Sequence, residues 1–173
     1  IIVLDIDLTS QGHDLRSTEK NLQLYHQLSG RAGRTGKPAN VYFQTFNLNP
    51  KVIDQITNED PFKFLDHELE LRKQNSLPPF ERFVSLILSA ENEKILDQES
   101  LKLKKILLNS TSEKVLGPVN APIFKIKRNF RSRLLIRAKK TSQIQKKLKK
   151  ILKDFKIQSG MKLTVDVDPI SFN

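Results

Sequence analysis

The sequence of 173 residues predicts an α/β chain in which an incomplete α/β segment is followed by a small, complete α+β domain. Strand-like and helix-like patterns alternate in both parts. The charge changes between them: residues 1–77 contain nine Lys/Arg and ten Asp/Glu, whereas residues 78–173 contain 21 and nine. Pro78 and Pro79 stand at the change and favour an extended connection. We therefore place a domain boundary after residue 77.

The first part has too few strands to complete a sheet. Its first helix is supported by Leu22, Tyr25 and Leu28, which recur on one helical face, and its later helices each follow an Asn-Pro or Asp-Pro start signal. Both faces of a parallel sheet must be covered, so we expect sequence outside this chain to complete the lobe. The expected elements are a strand over residues 1–5, a helix over 16–30, a strand over 41–46 and short helices over 50–57 and 61–73.

The second part predicts the order βαββαβ, which is the split-βαβ or ferredoxin-like arrangement. A tight connection is expected between its second and third strands, and Thr141 or Ser142 is expected to cap its second helix. The expected elements are a strand over residues 82–90, a helix over 91–108, strands over 123–127 and 131–138, a lysine-rich helix over 141–155 and a strand over 162–167.

Residues 27–34 read Gln-Leu-Ser-Gly-Arg-Ala-Gly-Arg and form the most specific motif of the chain. In a helix, Gln27 and Arg31 share a face and Arg34 lies three residues further on, which suits phosphate recognition. Gly30 and Gly33 remove side chains between these polar groups and allow a close approach of the backbone. The octet resembles the last conserved motif of superfamily 2 helicases, whose pattern is Q-x-x-G-R-x-G-R. A solvated basic helix end is the alternative interpretation.

Further segments around the octet narrow the resemblance. They are, in order, Leu4-Asp5-Ile6-Asp7-Leu8, Asp14-Leu15-Arg16-Ser17-Thr18-Glu19-Lys20, Val41-Tyr42-Phe43-Gln44-Thr45, Leu77-Pro78-Pro79-Phe80, Val115-Leu116-Gly117-Pro118 and Val165-Asp166-Val167-Asp168-Pro169. Taken together, essentially the whole chain resembles the C-terminal part of the primosomal protein N′ (PriA) family of replication-restart DNA helicases. The resemblance implies that residues 1–77 are the end of a second RecA-like helicase lobe and that residues 78–173 are a basic DNA- and partner-binding domain.

The resemblance also implies an ATP-dependent 3′-to-5′ DNA helicase that recognises stalled or abandoned forks and restarts replication by primosome assembly. Arg34 is then the arginine finger and Arg31 a second catalytic phosphate contact, while Gln27 and Gly30 complete the nucleotide-binding motif. The chain has no Walker-type phosphate loop, so it should be inactive alone, with ATP and Mg²⁺ bound mainly by an upstream region. The family's zinc region also lies upstream. No metal site is expected in this chain, which has no cysteine and three scattered histidines.

Residues 122–156 contain 14 Lys/Arg against the single acid Asp154, which favours binding to nucleic-acid phosphates. Strand alternation should place Lys125 and Lys127 on one face and the arginines of the next strand on another. Phe130 either stacks on a base or packs on the core, and the lysine-rich helix either binds DNA or is merely solvated. The expected DNA-binding residues are Lys125, Lys127, Arg128, Phe130, Arg131, Arg133 and Arg137.

A partner site is expected at the start of the lysine-rich helix. The resemblance implies contact with other primosome proteins and with the acidic C-terminal tail of single-stranded-DNA-binding protein, for which Lys139, Lys140 and Gln145 are the candidates. Thr141 departs from the family pattern, since it stands where a helix-borne arginine is expected. A solvated helix end is the alternative.

The sequence contains no apolar run of the ~20 residues needed to span a membrane, so we expect no membrane partner and a cytoplasmic protein. The resemblance implies a bacterial, nucleoid-associated one. Two other classes of function are alternatives to the helicase. One is a stand-alone module that binds nucleic acid, and the other is an adaptor that docks acidic protein tails, both without ATPase activity. Walker-type motifs upstream would favour the helicase.

Overall fold

The computed structural model describes residues 1–4, 6, 15–32, 40–46 and 61–170. The chain divides into two compact units, Ile1–Leu69 and Glu70–Asn173. The domain boundary that we place after residue 77 stays a prediction. The helix expected over residues 50–57 lies outside the described residues.

The first unit contains a parallel pair of short strands with a helix between them in the sequence. Strand β1 (Ile2–Val3) pairs with β2 (Tyr42–Phe43), and helix α1 (Ser17–Ala32) connects them in chain order. Helix α2 (Pro61–Gln74) begins in this unit. The observed order is β-α-β with parallel pairing, as the sequence predicts for an α/β segment.

Helix α1 packs through the face that the sequence predicts. Leu22 and Tyr25 are buried, while Leu28 is half-buried. The Tyr25 ring meets the Phe43 ring edge-on with 5.4 Å between centroids, and its hydroxyl donates to the carbonyl oxygen of Ile6 at 3.4 Å. One aromatic side chain therefore joins the helix to the strand pair.

The second unit has the order βαββαβ, which confirms the predicted sequence of elements. Its four strands form one antiparallel sheet in the order β4-β5-β3-β6. The elements are β3 (Glu81–Ala90), α3 (Glu93–Ser110), β4 (Lys114–Ile126), β5 (Asn129–Lys139), α4 (Ile144–Asp154) and β6 (Lys162–Val167).

The core of this unit lies between one face of the sheet and both helices. Even-numbered residues of β3 and β5 supply the sheet side, and each fully buried Leu or Ile contributes about 1.5–3 kcal/mol. Asn92 caps α3, since its side chain accepts from the backbone N–H of Ile95 at 3.2 Å. The core residues are Val84, Leu86, Leu88, Ala90, Leu96, Leu103, Leu107, Val115, Leu134, Ile136, Ala138, Ile144, Leu148 and Phe155.

The end of β6 is fixed to the start of β3. The backbone N–H of Asp168 donates to the carbonyl oxygen of Phe83 at 2.7 Å, and the Asp168 carboxylate accepts from the Phe83 N–H at 3.2 Å. The same carboxylate lies 3.5 Å from the Arg82 guanidinium. Asp168 thus links the end of β6 to the start of β3.

Strand β4 begins nine residues earlier than predicted. Register shifts occur between Leu116 and Val119 and between Asn120 and Lys125. Gly117, with φ of +93°, allows the first of them, because a side chain there would meet the backbone of β5. These irregularities interrupt the period-two pattern that identifies a strand from sequence.

Helix α4 begins at Ile144, so the predicted start at residue 141 and the predicted cap are wrong. Gln143 occupies the capping position and makes no side-chain capping bond. The Ser142 hydroxyl donates to the Glu113 carboxylate instead, and Thr141 lies in the preceding turn. The Ser142 hydroxyl, which the local pattern assigns to capping of the helix, is therefore used in a tertiary hydrogen bond.

Candidate nucleic-acid interface

The β4–β5 hairpin carries most of the residues that the sequence assigns to DNA. Its strands end in the Ile126–Asn129 pair, so Lys127 and Arg128 form the turn. Lys127 has a positive φ of 55°, and both turn side chains are exposed. The expectation that Lys127 shares a strand face with Lys125 is wrong, because Lys127 lies in the turn.

Alternation along β5 separates its side chains into two faces. The even-numbered residues from Ser132 to Ala138 are buried on the side of α3 and α4. Arg131, Arg133 and Arg137 lie on the opposite side and are half-buried, as their predicted common face requires. We call this opposite side of the sheet the open face, although Phe83 and Ser85 of β3 lie on it and are buried, while Ile87 and Ser89 nearer the hairpin are half-buried.

Arg131 and Arg133 are neighbours on the open face. Arg131 donates from Nη1 to the carbonyl oxygen of Ile123 at 3.3 Å, which directs its side chain toward β4. Burial lowers the pKa of the Arg133 guanidinium from its ordinary value, and the positive charge of Arg131 lowers this pKa further. A like-charge pair in a partly desolvated position favours a bound anion beside it.

Arg137 is engaged within the chain. Its Nη2 donates to the carbonyl oxygens of Asn75 at 3.2 Å and Ser76 at 3.0 Å, and to the Glu81 carboxylate at 3.3 Å. The guanidinium also lies 5.7 Å from the centroid of the Phe83 ring. These contacts join β5 to β3 and to the residues that follow α2. The assignment of Arg137 to DNA stays a prediction.

Phe130 lies on the helix side of the sheet, opposite Lys125 in the strand register. The Lys125 ammonium is 4.5 Å from the centroid of the Phe130 ring, and the Phe124 ring is 5.3 Å from it between centroids. Phe130 and Lys125 are therefore separated by the sheet from Arg131 and Arg133. The ring packs partly on the core, and its stacking on a base stays a prediction.

The candidate partner residues Lys139, Lys140 and Gln145 are all exposed near the start of α4. A surface pocket of about 750 Å³ lies here, and Lys139 is the one candidate among its lining residues. The lysines of α4 that border this pocket follow a helical spacing in the sequence, which is the signal that could have found them. The other lining residues are Ser112, Glu113, Thr141, Ser142, Gln143, Lys146, Lys147 and Lys150.

The helicase-like octet is described only in part. Gln27, Gly30 and Arg31 are exposed in the last turns of α1, and a side chain added at Gly30 would meet nothing within 4 Å. Gln27 also borders a pocket of about 360 Å³ that includes Phe64. Gly33 and Arg34 lie outside the described residues. Among the residues that the structure describes, no cluster of His, Cys, Asp and Glu could hold a metal ion.

Comparison with known proteins identifies a family that matches more than half of the chain. A family described as Primosomal protein N C-terminal domain matches residues 73–170. The replication restart protein PriA of Rickettsia felis is 38% identical over 98% of this chain and 26% of that protein. The proteins of the same name from Bacillus subtilis and Thermotoga maritima are 33% and 29% identical, over 21% and 22% of their lengths. The chain thus spans about a quarter of the length of these relatives. No helix in the described part of the chain is long and apolar enough to cross a membrane.

Proposed function

The chain belongs to the PriA family of replication restart proteins, and we propose that its second unit binds DNA through the phosphate backbone as part of an ATP-dependent 3′-to-5′ helicase. The parent protein would recognise stalled or abandoned forks and restart replication by primosome assembly. The observation that carries the proposal is the excess of 14 Lys/Arg over one acid across residues 122–156, within the domain that the family match covers.

Backbone recognition fits the arrangement of these charges. The cations lie at the hairpin turn, on the open face and along α4, so they are spread over several surfaces of the second unit. A surface of this kind neutralises several phosphates at once and releases counterions, so its affinity falls steeply with salt. It carries little sequence information, because phosphates are the same at every base pair.

The proposed role of the first unit is the end of a second RecA-like lobe. Its parallel β-α-β unit supports this, together with an octet that places Arg31 in the last turn of α1. Arg34 and Arg31 would contact the γ-phosphate of ATP, with Gln27 and Gly30 beside them. ATP and Mg²⁺ would be held mainly by an upstream region, which would also carry the zinc.

The proposed partners are forked and single-stranded DNA, other primosome proteins and an acidic tail of single-stranded-DNA-binding protein. Support for the tail comes from the pocket at the start of α4, which is lined by four lysines, Lys139, Lys146, Lys147 and Lys150, and by one acid, Glu113. A terminal carboxylate with aspartates would be attracted to such a pocket.

The DNA proposal is tested by fluorescence anisotropy of labelled forked DNA with the full chain at increasing salt. We expect log Kd to change linearly with log salt, with a slope of about 0.7–0.9 per neutralised phosphate. Lys127→Ala/Arg128→Ala should lower this slope, whereas the exposed pair Lys94→Ala/Lys105→Ala on α3 carries the same charge change outside the basic segment and should not. Salt-independent binding, or equal effects of the two pairs, would contradict the proposal.

A further inference from the structure

Within the four described strands, the open face carries cations among apolar side chains and has its acids at one end. Arg131 lies opposite Ser89 of β3, and Arg133 lies between Ile87 of β3 and Val119 of β4. The register places no carboxylate opposite either arginine. Glu81 and Asp166 lie further along the strands, toward the end that Arg137 occupies.

The residues that lie side by side with Arg131 across the strands extend to β6 at the edge of the sheet. Ser89 is flanked by Arg131 on one side and by Lys162 of β6 on the other. Strands are about 4.8 Å apart, so the backbones of Arg131 and Lys162 are separated by roughly 10 Å. The hairpin end of the open face is therefore basic across three strands.

Apolar surface accompanies these charges. The Val119 side chain is 54% exposed and Leu116 is 37% exposed, while Ile87 and Leu135 are half-buried. Exposed apolar side chains next to half-buried arginines are typical of a binding surface and not of a face that only contacts water. Arg guanidinium planes are among the groups on which unstacked bases lie in nucleic-acid complexes, and aliphatic side chains beside them can contact the same bases.

The shape of the sheet selects the form of nucleic acid. Its four strands span roughly 14 Å, whereas the major groove of duplex DNA is about 12 Å wide and admits a helix or a two-stranded ribbon. A face wider than the groove would meet mainly the phosphates of an undistorted duplex. An unpaired strand can lay its bases on the face.

We propose that the open face binds an unpaired DNA strand, with Arg131 and Arg133 stacking on bases, Val119 and Ile87 contacting them, and Lys162 holding a phosphate. This rests on the proposed DNA binding of the second unit and assigns the unpaired strand to one face of it. The lysines of α4, on the far side of the sheet, then act as point charges for phosphates.

The test compares binding of the full chain to a single-stranded oligonucleotide and to the blunt duplex of the same length, at one salt concentration. Arg131→Ala/Arg133→Ala should weaken binding to the single strand about tenfold or more, since base stacking is lost along with charge. The control Lys149→Ala/Lys153→Ala removes the same charge from α4 and should weaken both DNAs to a similar, smaller extent. Circular dichroism and thermal melts check that each variant is folded.

A second variant separates stacking from charge. Arg131→Lys/Arg133→Lys keeps the charge and loses the planar guanidinium groups, so it should reduce the preference for the single strand while leaving duplex affinity nearly unchanged. A wild-type preference in this variant, or equal losses on both DNAs in the alanine pair and its control, would overturn the inference and leave the proposed function standing. A wild-type chain that binds neither DNA would overturn both.

Discussion

At the scale of single residues, Arg137 joins three parts of the second unit through one guanidinium group. It donates to two carbonyl oxygens at the end of α2 and to the Glu81 carboxylate, and its side chain is 23% exposed. Two of these acceptors, Asn75 and Ser76, directly follow the last residue of α2, where a cation is also favoured by the helix dipole. Among the contacts described for the open-face arginines, those of Arg137 include an ion pair with a carboxylate.

Replacing Arg137 by alanine should destabilise the second unit by about 1–2 kcal/mol, because a charge-assisted set of hydrogen bonds is lost. Urea unfolding of the full chain, followed by circular dichroism, measures the change. Arg128→Ala removes the same charge from the exposed hairpin turn and should leave stability unchanged. Equal stability of the two variants would show that the Arg137 contacts contribute nothing.

Gly117 is a position where both the backbone and the space around it require glycine. Its φ is +93°, and a Cβ there would lie 2.6 Å from the carbonyl oxygen of Arg133. Gly117→Ala should therefore cost about 2–4 kcal/mol in unfolding free energy, from strain and from displacement of β5. Gly160→Ala is the matched control, since Gly160 has φ of +81° with nothing within 4 Å. A similar loss in both would mean that the clash with β5 is relieved at no cost.

At the scale of elements, the end of helix α2 shows a Schellman motif without glycine. The N–H of Leu77 donates to the carbonyl oxygen of Arg72 at 2.8 Å, and that of Ser76 donates to Lys73 at 3.1 Å. Ser76 occupies the left-handed position with φ of 52°. A serine in this position bears a conformational cost that glycine does not.

Ser76→Gly should raise the unfolding free energy by about 1 kcal/mol, because the left-handed backbone is already present and only its strain is removed. Differential scanning calorimetry of the full chain detects the corresponding rise in Tm. Ser112→Gly, at an exposed bend, should have no stabilising effect, since glycine there only adds freedom to the unfolded chain. Lower stability of the Ser76 variant would argue against this description of the helix end.

The elements that are predictable from sequence are those whose pattern is local. Strand β6 was predicted over the residues that form it, because period-two alternation is uninterrupted there. The start of β4 was missed because Gly117, Pro118 and Pro122 disturb the pattern that its pairing with β5 restores. The cap of α4 was wrong because the Ser142 hydroxyl bonds to Glu113, which is 29 residues away.

The same distinction holds for the candidate site. The common face of Arg131, Arg133 and Arg137 follows from alternation and was predicted. The neighbours of each arginine depend on the register of three strands, so the sequence alone could not separate Arg137, beside Glu81, from Arg133, beside Val119. The register of the strands therefore decides which residues lie opposite each arginine.

At the scale of the whole molecule, the proposed division of labour predicts separate effects on ATP and on DNA. In the full-length protein, Arg34→Ala should lower kcat for DNA-stimulated ATP hydrolysis by about 10³-fold or more, as expected for an arginine finger, while DNA affinity stays near normal. Steady-state ATPase assays and anisotropy measure the two. Normal turnover would remove Arg34 from the nucleotide site, and lost DNA affinity would contradict the separation.

The contact between Asp168 and Phe83 joins two strands that are made far apart in time, which affects folding during synthesis on the ribosome. Strand β3 is central in the sheet, yet β6, its partner on one side, comes last of the described strands in chain order. Residues 91–161 must be synthesised between them, which takes roughly 4–14 s at about 5–20 residues per second. During that interval one edge of an apolar strand has no partner, and a nascent chain in this condition is a natural client for chaperones.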